Sequence, residues 1–230
     1  MKKHSKRFVK AKETFDSAKQ YSLIEAVGIL KKFPGASFNE TVELAVRLGV
    51  DPKQSDQQVR GTVALPHGSG KKVKVLVFAK GEAAKQAKDA GADYVGLDDL
   101  VQKITGGWFD FDVVIAAPDT MKEVGKLGKV LGPKGLMPSP KSGTVTPNVN
   151  QAVKEVKAGR VEFKVDKGAN VHLPVGKINF EEQALTENAG RVIEAILRAK
   201  PSSSKGHYLR GCALSTTMGP GVRIDLREFL

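Results

Sequence analysis

Two short segments far apart in the chain hold the residues best suited to specific contacts: Phe38-Asn39-Glu40-Thr41-Val42-Glu43 and Thr216-Thr217-Met218-Gly219-Pro220-Gly221. The first sets an aromatic ring beside hydroxyl and carboxylate groups. The second offers hydroxyls, a flexible thioether and a Gly-rich backbone that a partner can approach closely. This is the chemistry of a contact surface, and neither segment suits a catalytic site. Each falls where a strand should begin or finish. For the two to act together, both chain ends must fold into one domain, and the middle of the chain becomes a second domain inserted between them.

Composition narrows the partner. With 230 residues, 40% hydrophobic and 6% aromatic, the chain reads as a soluble globular protein of two modest domains. A formal net charge of +12 and a pI of about 9.7 give a field that draws polyanions, nucleic acid first among them. Lys2, Lys3, Lys6, Arg7, Lys10 and Lys12 form a basic arm with no signal-peptide core after it, and no apolar run approaches the length of a membrane span. The single cysteine, Cys212, lies in an apolar strand pattern and reads as a small core residue, which implies a reducing cytoplasm.

The elements follow from period and punctuation. Ser22-Leu23-Ile24-Glu25 has the form of a capping box, opening a helix that presents Ile24, Val27 and Leu30 and stops at Pro34-Gly35. Val42, Leu44, Val46 and Leu48 alternate with polar residues as a half-buried strand, and a second strand runs from Val59 to Leu65. From His67 the texture changes to strand (Val73–Ala79), helix, strand (Asp93–Gly96), helix (Asp98–Ile104), strand (Val113–Ala117) and a helix from Pro118, the rhythm of a parallel sheet covered by helices. A Gly/Pro-rich loop from Gly132 to Pro147 and a helix near Asn150 to Lys157 close that domain. Alternation resumes at Arg160–Val165, with Asp166-Lys167-Gly168-Ala169-Asn170 reading as a hairpin turn into Val171–Val175. A helix from Phe180 to Lys200 and a strand from Tyr208 to Thr217 complete the first domain.

Enzyme chemistry has no residues to stand on. His67-Gly68-Ser69-Gly70-Lys71-Lys72 precedes a strand when a phosphate loop should follow one, and Lys72 occupies the place of the required Ser or Thr. The glycines at 125, 128, 132 and 135 match no dinucleotide fingerprint. The four histidines are scattered without metal-ligand spacing, and Asp98-Asp99, Asp110 and Asp112 serve caps and strand ends. No cofactor, metal or catalytic residue is expected. RNA fits better, because side chains reach it through loops, bulges and 2′-hydroxyls. Phe38 would stack on a base or ribose, Thr41 and Thr217 would exchange hydrogen bonds with 2′-hydroxyls, and Glu43 would accept from a 2′-OH or base N–H. The alternative makes Phe38 a core residue at a strand start and Glu43 an ordinary exposed carboxylate. A general nucleic-acid binder and an α/β enzyme with an unrecognised site are the competing classes.

Six motifs, in order along the chain, carry a resemblance: the Phe38–Glu43 and Ser215–Gly221 segments, Ser55-Asp56-Gln57-Gln58-Val59-Arg60-Gly61-Thr62-Val63, Leu65-Pro66-His67-Gly68, Gly132-Pro133-Lys134-Gly135-Leu136-Met137-Pro138 and Val175-Gly176-Lys177. The chain resembles the bacterial form of the L-one (universal uL-one) family of large ribosomal subunit proteins. The resemblance implies an α/β fold of two domains: a discontinuous α+β split domain from both chain ends, residues 1–66 and 160–230, and an inserted Rossmann-like three-layer α/β domain, residues 67–159. It implies a structural, non-enzymatic constituent of the 50S subunit in the cytoplasm that binds large-subunit rRNA and forms the mobile lateral stalk at the E site. There it contacts departing deacylated tRNA, and it also represses translation by binding its own operon mRNA. By matching motif, the rRNA contacts are Phe38, Thr41, Glu43, Thr217, Met218 and Gly219, with Asp166, Lys167 and His172 as further candidates.

Two departures stand out: Ser37 where many relatives have Lys, and Gly211 where many have Ser. Each removes a contact, and Lys205 and Arg210 stand where they could replace the charge. Lys126, Lys129, Lys134 and Lys141, around the Gly/Pro-rich loop, are expected to face tRNA. The linkers at Pro66-His67-Gly68 and Lys157-Ala158-Gly159 are expected to form a hinge.

Overall fold

The alternation of Thr41 to Leu48 produces a strand with Val42, Leu44, Val46 and Leu48 buried and Glu43 and Arg47 exposed. The structure, a computed structural model, describes residues 4–229 apart from the side chain of Lys141. In chain order the elements begin with α1 (Lys6–Glu13), α2 (Leu23–Lys31), β1 (Thr41–Leu48), β2 (Arg60–Ala64), β3 (Val75–Phe78), α3 (Gly81–Asp89) and β4 (Tyr94–Gly96). Next come α4 (Asp98–Thr105), β5 (Val113–Ala116), α5 (Met121–Gly125), α6 (Gly128–Leu131) and α7 (Val149–Lys157). The chain closes with β6 (Arg160–Lys164), β7 (Asn170–Lys177), α8 (Glu182–Arg198), β8 (Leu209–Thr216) and β9 (Val222–Ile224). Two compact units result, one from Met1–Gly70 with Val161–Leu230 and one from Lys71–Arg160. Among the described residues no helix is long and apolar enough to cross a membrane.

In the first unit, β7-β1-β8-β9 form an antiparallel sheet. α2 and α8 pack on one of its faces, burying Ala26, Val27, Leu30, Leu185, Ala189, Val192, Ile193 and Ile196 against the strand residues of even parity on β1. The capping box is present, with Ser22 Oγ accepting from the Glu25 amide at 3.3 Å and Glu25 Oε2 accepting from the Ser22 amide at 3.1 Å. Asn188, fully buried on α8, accepts from the His67 amide at 3.2 Å and donates to Gly68 O at 3.1 Å and Val175 O at 2.8 Å. The backbone of His67 and Gly68, expected to flex, is therefore fastened to α8.

Three sequence expectations need correction, and two elements, α1 and β9, go beyond the sequence reading. Ile24 does not face the core: it is 69% exposed, and Leu23 and Ala26 take its place beside Val27 and Leu30. The turn at Asp166–Asn170 does not close a hairpin, because β6 pairs with β2 in a separate two-stranded sheet while β7 joins β1. Asp166 nevertheless organises that turn, Oδ1 accepting from the Gly168 and Asn170 amides at 2.8 and 2.7 Å. The basic arm is a helix, α1, capped by Ser5 at Phe8 N and with Ala11 buried; Lys2 and Lys3 lie outside the described residues. A short strand, β9, follows the Gly219-Pro220-Gly221 turn. The expected helix from Pro118 is broken into α5 and α6, with Gly125 and Gly128 near the break.

In the second unit the parallel sheet runs β4-β3-β5. Leu76 and Phe78 face Leu100, Ile104, Leu127 and Leu131, whereas Val75 and Val77 face Ala87, Val149, Val153 and Val156. Helices thus cover both faces, α3 and α7 on one and α4 to α6 on the other. The Gly/Pro-rich stretch adds an isolated parallel bridge, Val145 to Ala116, at the β5 edge.

Candidate nucleic-acid interface

The two segments meet. β1 pairs with β8 from Val42–Thr216 to Leu48–Leu209, and beyond this ladder the Thr217 amide donates to Thr41 O at 3.0 Å. Thr217 Oγ1 accepts from the Thr41 amide at 2.9 Å, and Lys177 Nζ donates to Thr41 Oγ1 at 2.8 Å. Both threonine hydroxyls, read from sequence as 2′-hydroxyl partners, therefore already join the segments to each other and to β7.

Glu40 completes the clamp. Only 5% exposed, its carboxylate accepts from the Ala36 amide at 2.9 Å and the Met218 amide at 3.0 Å, with Arg7 of α1 at 3.9 Å. Burial pushes its pKa up, but the Met218 amide, the Thr216 hydroxyl, the Ala36 amide and Arg7 together outweigh burial and hold it below the usual glutamate value. One buried anion fixes the backbone on both sides of the site. Sequence reading passed over Glu40, although its place on the core-facing parity of β1, two residues before Val42, was a legible signal. It also passed over Lys177.

The clamp holds Phe38 and Met218 outward, 51% and 52% exposed, two of four large apolar side chains so exposed among the described residues. Phe38 is not a core residue: it lies in the bend that precedes β1, and the inward parity of the strand reaches back to Glu40 but not beyond it. Glu43 is exposed on the outer sheet face, opposite Pro174 and Ser215. Gly219 has a packing reason to be glycine, since a Cβ there would collide with Thr216 Oγ1 and come within 3.1 Å of the Phe33 ring. Behind the turn, Phe8 and Ala11 of α1 line a small recess with Phe33, Met218 and Gly219.

Asp166, Lys167 and His172 lie at the other end of the same face. Thr41 pairs with Lys177 and Ala45 with His172, so at roughly 3.4 Å per residue these candidates begin about 14 Å from Thr41 along the strand. His172 Nε2 stands 3.9 Å from Asp166 Oδ2. The Asn170 amide, helped by the Gly168 amide, holds the Asp166 carboxyl below its usual range against the opposing effect of desolvation. Ala169 in that turn has φ 61°, a left-handed conformation that costs an alanine about 1–2 kcal/mol. Ser37 is exposed, Gly211 lies on the outer face of β8, and Arg210 and Lys205 are exposed near it.

Of the lysines expected to face tRNA in the second unit, Lys126 and Lys129 are exposed. Lys134 is also exposed, with its amine 4.1 Å from the centre of the Phe109 ring. The Lys141 side chain lies outside the described residues.

Comparison with known proteins agrees with the family resemblance. Residues 30–220 match the family described as "Ribosomal protein L1p/L10e family". A relative named "Large ribosomal subunit protein uL1", from Protochlamydia amoebophila (strain UWE25), is 56% identical over 228 residues, covering 99% of this chain and 97% of the relative. With a matched span over most of its length and identity this high across nearly all of it, the chain belongs to the ribosomal protein L1p/L10e family.

Proposed function

We propose that the protein is a structural, non-enzymatic constituent of the large ribosomal subunit, associated with cytoplasmic ribosomes, and that it binds large-subunit rRNA through Phe38, Thr41, Glu43, Thr217, Met218 and Gly219. The observation that carries this is the exposure of Phe38 and Met218 on two segments locked together by the Thr41–Thr217 bonds and by Glu40. A rigid aromatic and a thioether on a strongly basic chain suit unstacked bases, and Glu43 penalises contact with phosphate while accepting from 2′-hydroxyls. Asp166, Lys167 and His172 make a second contact on the same face.

In this reading residues 67–159 form an inserted, Rossmann-like domain of the mobile stalk, and Lys126, Lys129, Lys134 and Lys141 meet the backbone of E-site tRNA and assist its release. The same first-unit surface binds a similar fold on the protein's own mRNA, making it a repressor. The test is binding to a large-subunit rRNA stalk fragment and to random duplexes over a salt series. Phe38→Ala and Met218→Ala are the cleaner variants, because Thr217→Ala also breaks the clamp. Tight, salt-resistant binding that falls at least tenfold in both variants supports the interface; equal affinity for every duplex sinks it. Unaltered tRNA crosslinking after replacing the four lysines would remove the tRNA role alone.

A further inference from the structure

The second half of the Gly/Pro-rich loop, Ser139 to Thr144, is closed on itself by short-range bonds. The Ser142 and Thr144 amides donate to Ser139 O at 3.2 Å each, and the Gly143 amide donates to Pro140 O at 3.0 Å. In return the Ser139 amide donates to Thr144 Oγ1 at 2.8 Å, and the hydroxyl of Ser142, a residue only 1% exposed, stands 3.0 Å from the same oxygen. Such bonds fix the shape of a turn and leave open how it is oriented on the rest of the unit. One side is settled at the sheet, where the Ala116 amide of β5 donates to Thr144 O at 2.9 Å and the Thr146 amide donates to Ala116 O at 3.2 Å.

Arg160 settles the other side. Its side chain, 21% exposed, donates from Nη2 to Ser142 O at 3.0 Å and from Nη1 to Glu155 Oε2 of α7 at 2.7 Å. The planar fork suits this task, because it holds two acceptors at once in a fixed geometry, whereas a lysine ammonium acts as a point charge on a flexible stem. Glu155 is itself steadied, its other oxygen accepting from Gln151 Nε2 at 2.8 Å. Gly143 completes the fit: its φ of 64° lies in the left-handed region, and a Cβ there would collide with the Arg160 guanidinium. Turn and arginine thus lie against each other with no side chain between them. Arg160 is also the last residue of the second unit, from which the chain passes into the first at Val161. In the sequence it reads only as the start of a strand.

We propose that Arg160 is a positioning residue, holding the Pro140–Ser142 turn and the backbone of Lys141 within it in one orientation on the second unit, so that Lys141 meets the tRNA backbone from a fixed base. The inference rests on the tRNA-facing reading given above and adds to it the residue that aims the loop. Lys126, which ends α5, and Lys129, within α6, lie outside the brace.

Three variants of the full chain test it. Arg160→Gln removes both charge and fork, Arg160→Lys keeps the charge and removes the fork, and Glu155→Gln leaves the arginine in place and takes away its charged acceptor. Amide hydrogen exchange at Gly143 and Thr144 should become about tenfold faster in both Arg160 variants and change by less in Glu155→Gln, with the amides of α3 unaffected. On ribosomes carrying each variant, lysine-directed crosslinking to deacylated tRNA should fall at Lys141 and stay at the wild-type level at Lys126. Wild-type exchange in Arg160→Gln would overturn the brace. So would wild-type exchange and crosslinking in Arg160→Lys, since charge alone would then suffice. Freed amides with undiminished crosslinking at Lys141 would refute the positioning role, and equal losses at Lys141 and Lys126 would assign Arg160 to the stability of the whole unit instead. If the wild type crosslinks through none of the four lysines while the Arg160 variants still free the two amides, the brace stands and the tRNA reading alone falls.

Discussion

Replacing Glu40 by glutamine would show whether one buried anion holds the interface together. The carboxylate accepts from two backbone amides at 2.9 and 3.0 Å in a nearly solvent-free position. Glutamine keeps a single carbonyl oxygen, so one of those amides must face an NH2 group and lose its acceptor. A charge-assisted bond contributes about 1.5–3 kcal/mol, and a buried, unsatisfied N–H costs about 1–3 kcal/mol; counted once, the change is about 2 kcal/mol. The only tryptophan, Trp108, belongs to the other unit, so fluorescence would report the wrong part of the chain. Amide hydrogen exchange at Ala36 and Met218 reads the site directly, and 2 kcal/mol corresponds to exchange about 30-fold faster at pH 7. If binding needs the Met218 turn ordered, RNA affinity falls by up to the same factor. The folded-state pKa of Glu40 lies below the usual 4.5, so its stabilisation is complete above that value and disappears as pH falls through the folded value. The gap between wild type and variant should therefore begin to shrink below pH 4.5 and close in stronger acid. Equal exchange rates at pH 7, or a gap that stays constant into acid, would refute the reasoning.

Three further outcomes are expected. Gly219→Ala should destabilise the turn by about 1–3 kcal/mol through the clash with Thr216 and the Phe33 ring, seen as a lower urea midpoint of the first unit. Burial pushes the Cys212 thiol up to about 12, so the native protein should resist thiol reagents at pH 8 and react only on unfolding; rapid native labelling would contradict the buried placement. Asn188→Ala orphans the His67 amide and two carbonyls, and should cost about 2–4 kcal/mol, with early loss of exchange protection at His67.

Much of this was legible in local sequence. The alternation from Val42 to Leu48, the Ser22–Glu25 capping box and the apolar spacing of α8 rest on short-range periodicity that the structure keeps. What escaped reading depends on partners distant in sequence. Ile24 has the right helical spacing, but the sheet meets α2 on the side of Leu23 and Ala26. The Asp166 turn looks like a hairpin because its local bonds are those of one, yet β2 and β1 each claim one of its flanking strands. At the site, residue types suggested RNA contacts, whereas the division of labour needed coordinates: Phe38 and Met218 face out, the threonines clamp, and Glu40 binds underneath.

The Thr41–Thr217 bond joins residues 176 positions apart, which bears on when this surface can first exist. During synthesis β1 is made early and can pair with β7, but its other edge must wait for β8, since a chain halted before Leu209 lacks the strand that sets Thr216 beside Val42 and the Met218 amide that Glu40 holds. Contacts this distant also form slowly, because a long loop must close before they repay its entropy. Phe38 is therefore presented in its final setting only on finished molecules. In the proposed reading, a truncated product would keep much of the positive charge but lack the clamp, and so would attract RNA without competing for the specific site.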